Sequence, residues 1–280
     1  MKICSRVKML ADFIRETSSS IPEDVENALK KAMRKEEKGS SAKVVIETIL
    51  SNIKLAREKG TPLCQDTGTL TFFVSDSLKK RITVEKINEA VAYATSNGWL
   101  RRNTIDSLTG KSIDTNVCEG APVVHYVDEP FKRVRLIMKG GGSENMSVQF
   151  SLPDASIKAG RDFEGVRRAV LTAVQRAQGF GCAPGYLGVA IGGDRATGFE
   201  EAKEQLLRSI DDANPIAELA KLEKTILKEA NSLGIGPMGL GGKTTLLGVK
   251  IGVRPRLPAS YFVTVAYMCW AARRRTLELS

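Results

Sequence analysis

Gly60-Thr61-Pro62-Leu63-Cys64-Gln65-Asp66-Thr67-Gly68 reads as a turn with a helix behind it and a strand ahead. Upstream, Ser40 to Glu58 carries Val45, Ile46, Ile49, Leu50 and Ile53 on one helical face, and Lys59-Gly60 closes it in the manner of a C-cap. Downstream, Thr67 to Val74 is β-branched and aromatic and alternates as a strand does. The turn sets a thiol, an amide and a carboxylate on adjacent residues. A thiolate binds soft metal and a carboxylate moves protons, so one turn offers both halves of a metal-assisted reaction.

The rest of the chain adds further helices and strands in irregular order. Residues 5–17 place Val7, Leu10, Ala11, Phe13 and Ile14 on one face before Ser18-Ser19-Ser20 ends the pattern, and a second helix runs on from Pro22. Helices are further predicted over Val84 to Asn97, Asp162 to Gln178, Gly198 to Ile210 and Pro215 to Asn231. Pro122 to Val127 and Arg133 to Lys139 read as two antiparallel strands joined near Asp128-Glu129-Pro130, and Tyr186 to Ile191, Thr245 to Val253 and Tyr261 to Val265 as strands too. Thr104 to Asn116 has no periodicity and many turn formers. Without regular βαβ alternation, the reading is α+β: helices packed around a mixed or mostly antiparallel sheet, in a single domain over 1–280.

Composition narrows the class. With 280 residues and 42% hydrophobic content the chain can bury a sizeable core. No apolar stretch approaches the roughly 20 residues that cross a bilayer, and no leader-like segment opens the chain, so a soluble cytoplasmic protein is expected. Five scattered cysteines favour reduced or metal-bound thiols over a disulfide framework. The net charge of +10 comes from helix faces such as Lys30, Lys31, Arg34, Lys35 and Lys38 and from Arg273-Arg274-Arg275, without interleaved aromatics, so nucleic acid is not the expected partner. Such a surface suits an acidic partner or an anionic substrate.

Several motifs are weighed against plainer readings. Gly242-Lys243-Thr244 is the tail of a phosphate-binding loop, but Pro237 stands where that loop needs a glycine, and a helix precedes where a strand should. Lys139-Gly140-Gly141-Gly142-Ser143-Glu144-Asn145 can present consecutive backbone N–H groups to an anion. Cys64 and Cys182 sit in Gly/Pro-flanked turns at the mouths of strands and Cys269 just beyond one, whereas Cys4 and Cys118 lack such settings. A three-thiol metal site and three small buried hydrophobes both remain open readings of these residues. His125, the only histidine, is expected as a packed strand residue, which leaves acid–base work to carboxylates, Lys, Tyr or a metal.

Taken together, Pro62-Leu63-Cys64-Gln65-Asp66-Thr67-Gly68, Lys139 to Asn145, Gly181-Cys182-Ala183-Pro184-Gly185, Gly234 to Gly242 and Tyr267-Met268-Cys269-Trp270-Ala271 resemble the class I fumarases and the related L(+)-tartrate dehydratases, in the family's order over nearly the whole chain. The resemblance is to the separate α subunit, equivalent to the N-terminal domain of the long form. It implies an oxygen-labile [4Fe–4S] cluster held by Cys64, Cys182 and Cys269, brought together by the fold, with one iron lacking a protein ligand and acting as a Lewis acid on the substrate hydroxyl. It further implies Asp66 and Gln65 at the substrate with Asp66 in the proton path, Arg101 rather than Arg102 on a substrate carboxylate, and the backbone around Gly141 and Gly142 as a second anion contact. The implied reaction is hydration of fumarate to (S)-malate in the tricarboxylic acid cycle, with a β subunit completing the site. Dehydration of L(+)-tartrate to oxaloacetate and a non-catalytic cluster-binding role are the alternatives. Several relatives carry a histidine in the segment Arg254-Pro255-Arg256-Leu257-Pro258, and any role of that histidine has no counterpart at Leu257.

Overall fold

Apolar periodicity becomes two separate cores in the computed structural model, which describes residues 3–279. In chain order, α1 (Ser5–Ser19), α2 (Glu23–Lys35) and α3 (Ser41–Lys59) precede β1 (Thr69–Ser75), and α4 (Val84–Ser96) leads to β2 (Val123–Val127) and β3 (Arg133–Lys139). The single-turn α5 (Gly141–Asn145) is followed by β4 (Val148–Ser151), α6 (Phe163–Ala177), β5 (Gly185–Gly192), α7 (Arg195–Gln205) and α8 (Ala217–Ser232), and β6 (Leu246–Arg254), β7 (Phe262–Met268) and β8 (Arg273–Glu278) complete the order. The α+β expectation holds, with the mixed pairing divided between two four-stranded sheets. No helix among the described residues is long and apolar enough to cross a membrane.

The first compact unit comprises Met1–Pro22, Ser51–Gly141 and Ala271–Ser280. Its sheet runs β2-β1-β3-β8, with β1 parallel to β2 and antiparallel to β3, and β3 antiparallel to β8. Strand alternation points Leu70, Phe72 and Val74 of β1 into one core with Val134, Leu136 and Met138 of β3. Onto that face pack Val7, Leu10 and Ile14 of α1 and Ile87, Ala90, Val91 and Ala94 of α4. Each fully buried large side chain of this kind contributes roughly 1.5–3 kcal/mol of transfer free energy.

The expected hairpin of β2 and β3 does not form, because β1 lies between them. From Leu70 onward β1 is buried on both faces, so it takes the sheet interior with a neighbour on each edge. His125 behaves as expected of a packed strand residue: its ring stacks on Phe73 across the β1–β2 register, centroids 5.0 Å apart. Arg273-Arg274-Arg275, read as a solvated basic face, instead opens β8, with Arg273 buried and Arg275 bonded to Ser20 Oγ (2.9 Å) and Glu16 (3.3 Å).

The second unit comprises Glu23–Leu50 and Gly142–Trp270. Its sheet runs β4-β7-β5-β6, with β5 parallel to β6 and the other pairs antiparallel. Val166 and Val170 of α6 and Leu219, Leu222 and Ile226 of α8 cover Leu187, Val189, Val249, Ile251, Val263 and Val265. On the β5 strand, Gly188 lets α7 approach so closely that a Cβ there would strike the Ala202 carbonyl. The helix expected over 198–210 is displaced toward the N-terminus and runs Arg195–Gln205. Asp194 caps it, accepting from the Ala196 and Thr197 N–H groups at 2.8 Å. β4 was not legible as a strand: four residues at a sheet edge carry too little pattern.

Candidate active site

The turn at 60–68 is anchored by its one buried apolar residue. Leu63 donates its N–H to the Ser18 carbonyl (2.9 Å), and its own carbonyl accepts from Asn52 Nδ2 (3.1 Å). With Leu63 held on both sides, Cys64, Gln65 and Asp66 are raised toward the surface, Cys64 and Asp66 half-buried and Gln65 exposed. The Asp66 N–H donates to Cys64 Sγ at 3.4 Å.

Both Asp66 carboxylate oxygens are engaged by backbone. Oδ1 accepts from the Gly68 N–H (2.8 Å) and Oδ2 from the Gly141 N–H (2.7 Å). Two glycines permit this approach. Gly68 lies at φ +76°, where a Cβ would fall 2.5 Å from the Lys139 carbonyl, and a Cβ on Gly140 would come within 2.9 Å of Asp66 Oδ2. The glycine-rich segment thus holds an anion, and at Gly141 that anion is the protein's own Asp66 carboxylate. Gly142 is exposed, with open space where a Cβ would stand.

Arg101 is tied to the same turn through its backbone. Its N–H donates to Thr67 Oγ1 (2.8 Å), and its carbonyl accepts from that hydroxyl (3.0 Å) and from Asn116 Nδ2 (2.8 Å). Its guanidinium is exposed and makes no ion pair with any described residue, whereas Arg102 pairs with Asp114 at 3.6 Å. Thr67 also donates its N–H to Asn103 Oδ1 (3.0 Å).

Asn116 organises this segment, and sequence reasoning missed it. Buried at 3% exposure with φ +57°, it accepts at Oδ1 from the Asn103 and Thr104 N–H groups (3.1 and 3.0 Å) and donates at Nδ2 to Arg101 O and Thr95 Oγ1. A side-chain amide with both ends satisfied substitutes here for a regular backbone ladder. A pocket of 240 Å³ opens between Asp66, Asn103, Thr104, Asn116, Pro122 and Gly141.

Cys182 and Cys269 lie in the second unit. The antiparallel register Tyr186↔Met268 sets the start of β5 beside the end of β7, and the Trp270 N–H donates to the Cys182 carbonyl (3.2 Å). Cys182 holds φ +54°, an unusual state for a non-glycine residue. Beside the pair stands Tyr267, 1% exposed, its hydroxyl without a hydrogen-bond partner among the described residues. Burial first, then the charges of Cys269 and Cys182, push its pKa well above the usual phenol range.

Of the three thiols expected together, the fold therefore joins Cys182 and Cys269 in one unit, and Cys64 belongs to the other. Among the described residues, no three or more His, Cys, Asp and Glu side chains are grouped as for a metal ion. None of the five cysteines is in a disulfide, and Cys4 and Cys118 are exposed.

Sequence comparison places these features in a family. The profile described as Fumarate hydratase (Fumerase) matches residues 7–278. The chain is 50% identical over 268 residues to a putative fumarate hydratase class I of Geobacillus stearothermophilus, covering 93% of this chain and 52% of that protein. It is 38% identical over 275 residues to a putative L(+)-tartrate dehydratase subunit alpha of Methanocaldococcus jannaschii, covering 95% of this chain and 94% of that one. With the L(+)-tartrate dehydratase subunit alpha of Escherichia coli K12 the identity is 30% over 278 residues, covering 96% and 89%. The chain thus spans about half of the Geobacillus protein and nearly all of the two alpha subunits. It belongs to the fumarate hydratase (Fumerase) family of hydro-lyases.

Proposed function

We propose that this chain is the α-type catalytic part of a [4Fe–4S]-dependent hydro-lyase that interconverts fumarate and (S)-malate, completed by a β-type partner. The observation that carries the reading is the fixed Asp66 carboxylate, held by the Gly68 and Gly141 N–H groups with its own N–H on Cys64 Sγ. It sets a proton-transfer group two residues from a thiolate ligand.

The donor chemistry suits the cluster. Thiolates are the ligands iron–sulfur clusters take, Cys182 and Cys269 are paired by the β5–β7 register, and the orphaned Tyr267 hydroxyl beside them lacks an acceptor that bound sulfur would provide. Cys64, Cys182 and Cys269 would be the three ligands. When bound, such a cluster supplies Lewis-acid chemistry at an iron without a protein ligand, which weakens the C–O bond to the departing hydroxyl.

The chain's own residues serve the carbon acid and the carboxylates. Malate dehydration removes a weakly acidic C–H proton, and Asp66 is the base assigned to it. A carboxylate has about four lone-pair positions, so two backbone donors leave room for a proton while fixing the group's direction. Arg101 offers a guanidinium that pairs with no described residue to a substrate carboxylate, where it can bind bidentately as charge accumulates. Gln65, exposed between Cys64 and Asp66, supplies a neutral amide to the same substrate.

L(+)-tartrate dehydration is the second reading, favoured by the near-complete coverage of two proteins named as alpha subunits of that enzyme. The word alpha in those names also supports a separate partner subunit here. The test is anaerobic reconstitution with iron and sulfide counting, followed by assay of the chain with and without its β-type partner on both substrates. Iron lost in Cys64→Ser, Cys182→Ser and Cys269→Ser but kept in Cys4→Ser and Cys118→Ser, with turnover only in the complex, is the expected result. A wild type that takes up no iron would end the proposal.

A further inference from the structure

Tyr267 is a large polar side chain that neither the proton path nor the substrate contacts use. It lies at the end of β7, two residues before Cys269, and its N–H donates to Ser147 Oγ at 3.2 Å. Its ring fills the space over the Cys182 turn. A Cβ on Gly181 would overlap the ring, and a Cβ on Gly185 would come within 2.5 Å of the phenol oxygen. Gly181 and Gly185 are therefore glycine because the ring stands there, so the ring and the cysteine turn are built as one unit.

The hydroxyl is the anomaly. A buried O–H without an acceptor is destabilising relative to a satisfied one, and phenylalanine would fill the same volume without that penalty. Two carbonyls of the turn are already committed: that of Cys182 accepts from the Trp270 N–H and that of Ala183 from the Met238 N–H. What remains at hand is sulfur, since the ring rests against Gly181, the neighbour of Cys182, and Tyr267 stands two residues before Cys269. A neutral thiol is a weak acceptor; a thiolate or inorganic sulfide carrying negative charge is a strong one.

We infer that the Tyr267 hydroxyl donates a hydrogen bond to sulfur of the metal site built on Cys182 and Cys269, as a positioning residue that tunes the bound cluster without touching substrate. The inference rests on the cluster reading above. A donor to cluster sulfur stabilises the more negative, reduced state and so raises the reduction potential. The hydroxyl thus makes the bound cluster harder to oxidise.

Tyr267→Phe tests this because it removes one oxygen and keeps the ring. With the cluster reconstituted anaerobically, iron content is expected to equal that of wild type, while the midpoint potential falls and bleaching in air becomes several-fold faster. In the metal-free chain the sign reverses. There the hydroxyl is an orphan, so the variant should unfold in urea at the same or a higher midpoint than wild type. A merely structural role would instead lower stability in both states and leave the potential unmoved, and that pattern would overturn the inference. An unchanged potential and bleaching rate in a fully loaded variant would also overturn it while leaving the hydro-lyase reading intact. Failure of wild type to take up iron would remove both.

Discussion

Asp66 Oδ2 lies 2.7 Å from the Gly141 backbone nitrogen, so a carboxylate from the turn before β1 is held by the residue that opens α5. With Oδ1 on the Gly68 N–H, both oxygens are directed by backbone that cannot change rotamer. Asp66→Asn keeps the size and removes the base. Turnover of the assembled, cluster-loaded enzyme is expected to drop about 10²–10⁴-fold, the range typical of a lost general base. Iron content should be unchanged. Turnover within a few-fold of wild type would remove Asp66 from the proton path.

Arg101 and Arg102 are adjacent in sequence and differ in their partners. Arg102 has Asp114 at 3.6 Å, whereas the Arg101 guanidinium is exposed and pairs with no described residue. Arg101→Gln is expected to lower kcat/KM by about ten- to a hundredfold, since hydrogen bonds to charged groups are worth about 1.5–3 kcal/mol. Arg102→Gln should stay within a few-fold. Steady-state kinetics of the two variants in the complex decide the assignment, and the opposite order would exchange the two residues.

Asn116 is the structural counterpart to these. It bonds two N–H groups and a carbonyl in the segment 101–104, and its left-handed backbone disfavours most replacements. Asn116→Ala is expected to destabilise the chain by about 2–4 kcal/mol, from orphaned backbone groups and strain together. Asn116→Gly, which relieves only the strain, should recover about 1 kcal/mol. Equal urea midpoints for wild type and Asn116→Ala would refute the organising role.

Acid sensitivity has a local origin that can be checked. Hydrogen bonds from Arg167 and then Arg168 hold the Glu164 carboxyl down to about 2, from an ordinary value of 4.5. A lowered folded-state pKa stabilises the chain above the unfolded value, and the contribution fades as pH falls from 4.5 toward 2. The groups are partly solvated, so it amounts to less than about 1 kcal/mol. Arg167, which also reaches Glu229 of α8 at 2.6 Å, links two helices through this pair. In Arg167→Gln the Glu164 titration should move up toward 4.5 and the stability difference from wild type should vanish near pH 2; carboxyl chemical shifts in wild type with a midpoint near 4.5 would contradict it.

What was legible in the chain is what depends on short-range pattern. The helix at 41–59, its glycine stop, the turn at 60–68 and the apolar strand after it follow from spacing and turn chemistry within about twenty residues. The turns that carry Cys64 and Cys182 were likewise readable from their neighbours in sequence.

Pairing is different, because a strand's partner is set by burial on faces that only the assembled sheet defines. The interior place of β1, which separates β2 from β3, follows from its burial on both sides, and the conversion of Arg273-Arg274-Arg275 into an edge strand follows from the open side of β3. The same holds at the candidate site. Sequence alone determined that Asp66 stands beside Cys64 in a glycine-closed turn. Only the tertiary structure decided that Gly141 would hold its carboxylate, that Asn116 would brace Arg101, and that Tyr267 would bury, over the Cys182 turn, a hydroxyl with no partner among the described residues. A hydrogen bond between residues 75 apart leaves no periodic trace in either segment, since its geometry belongs to the packed backbone and not to the spacing of side chains.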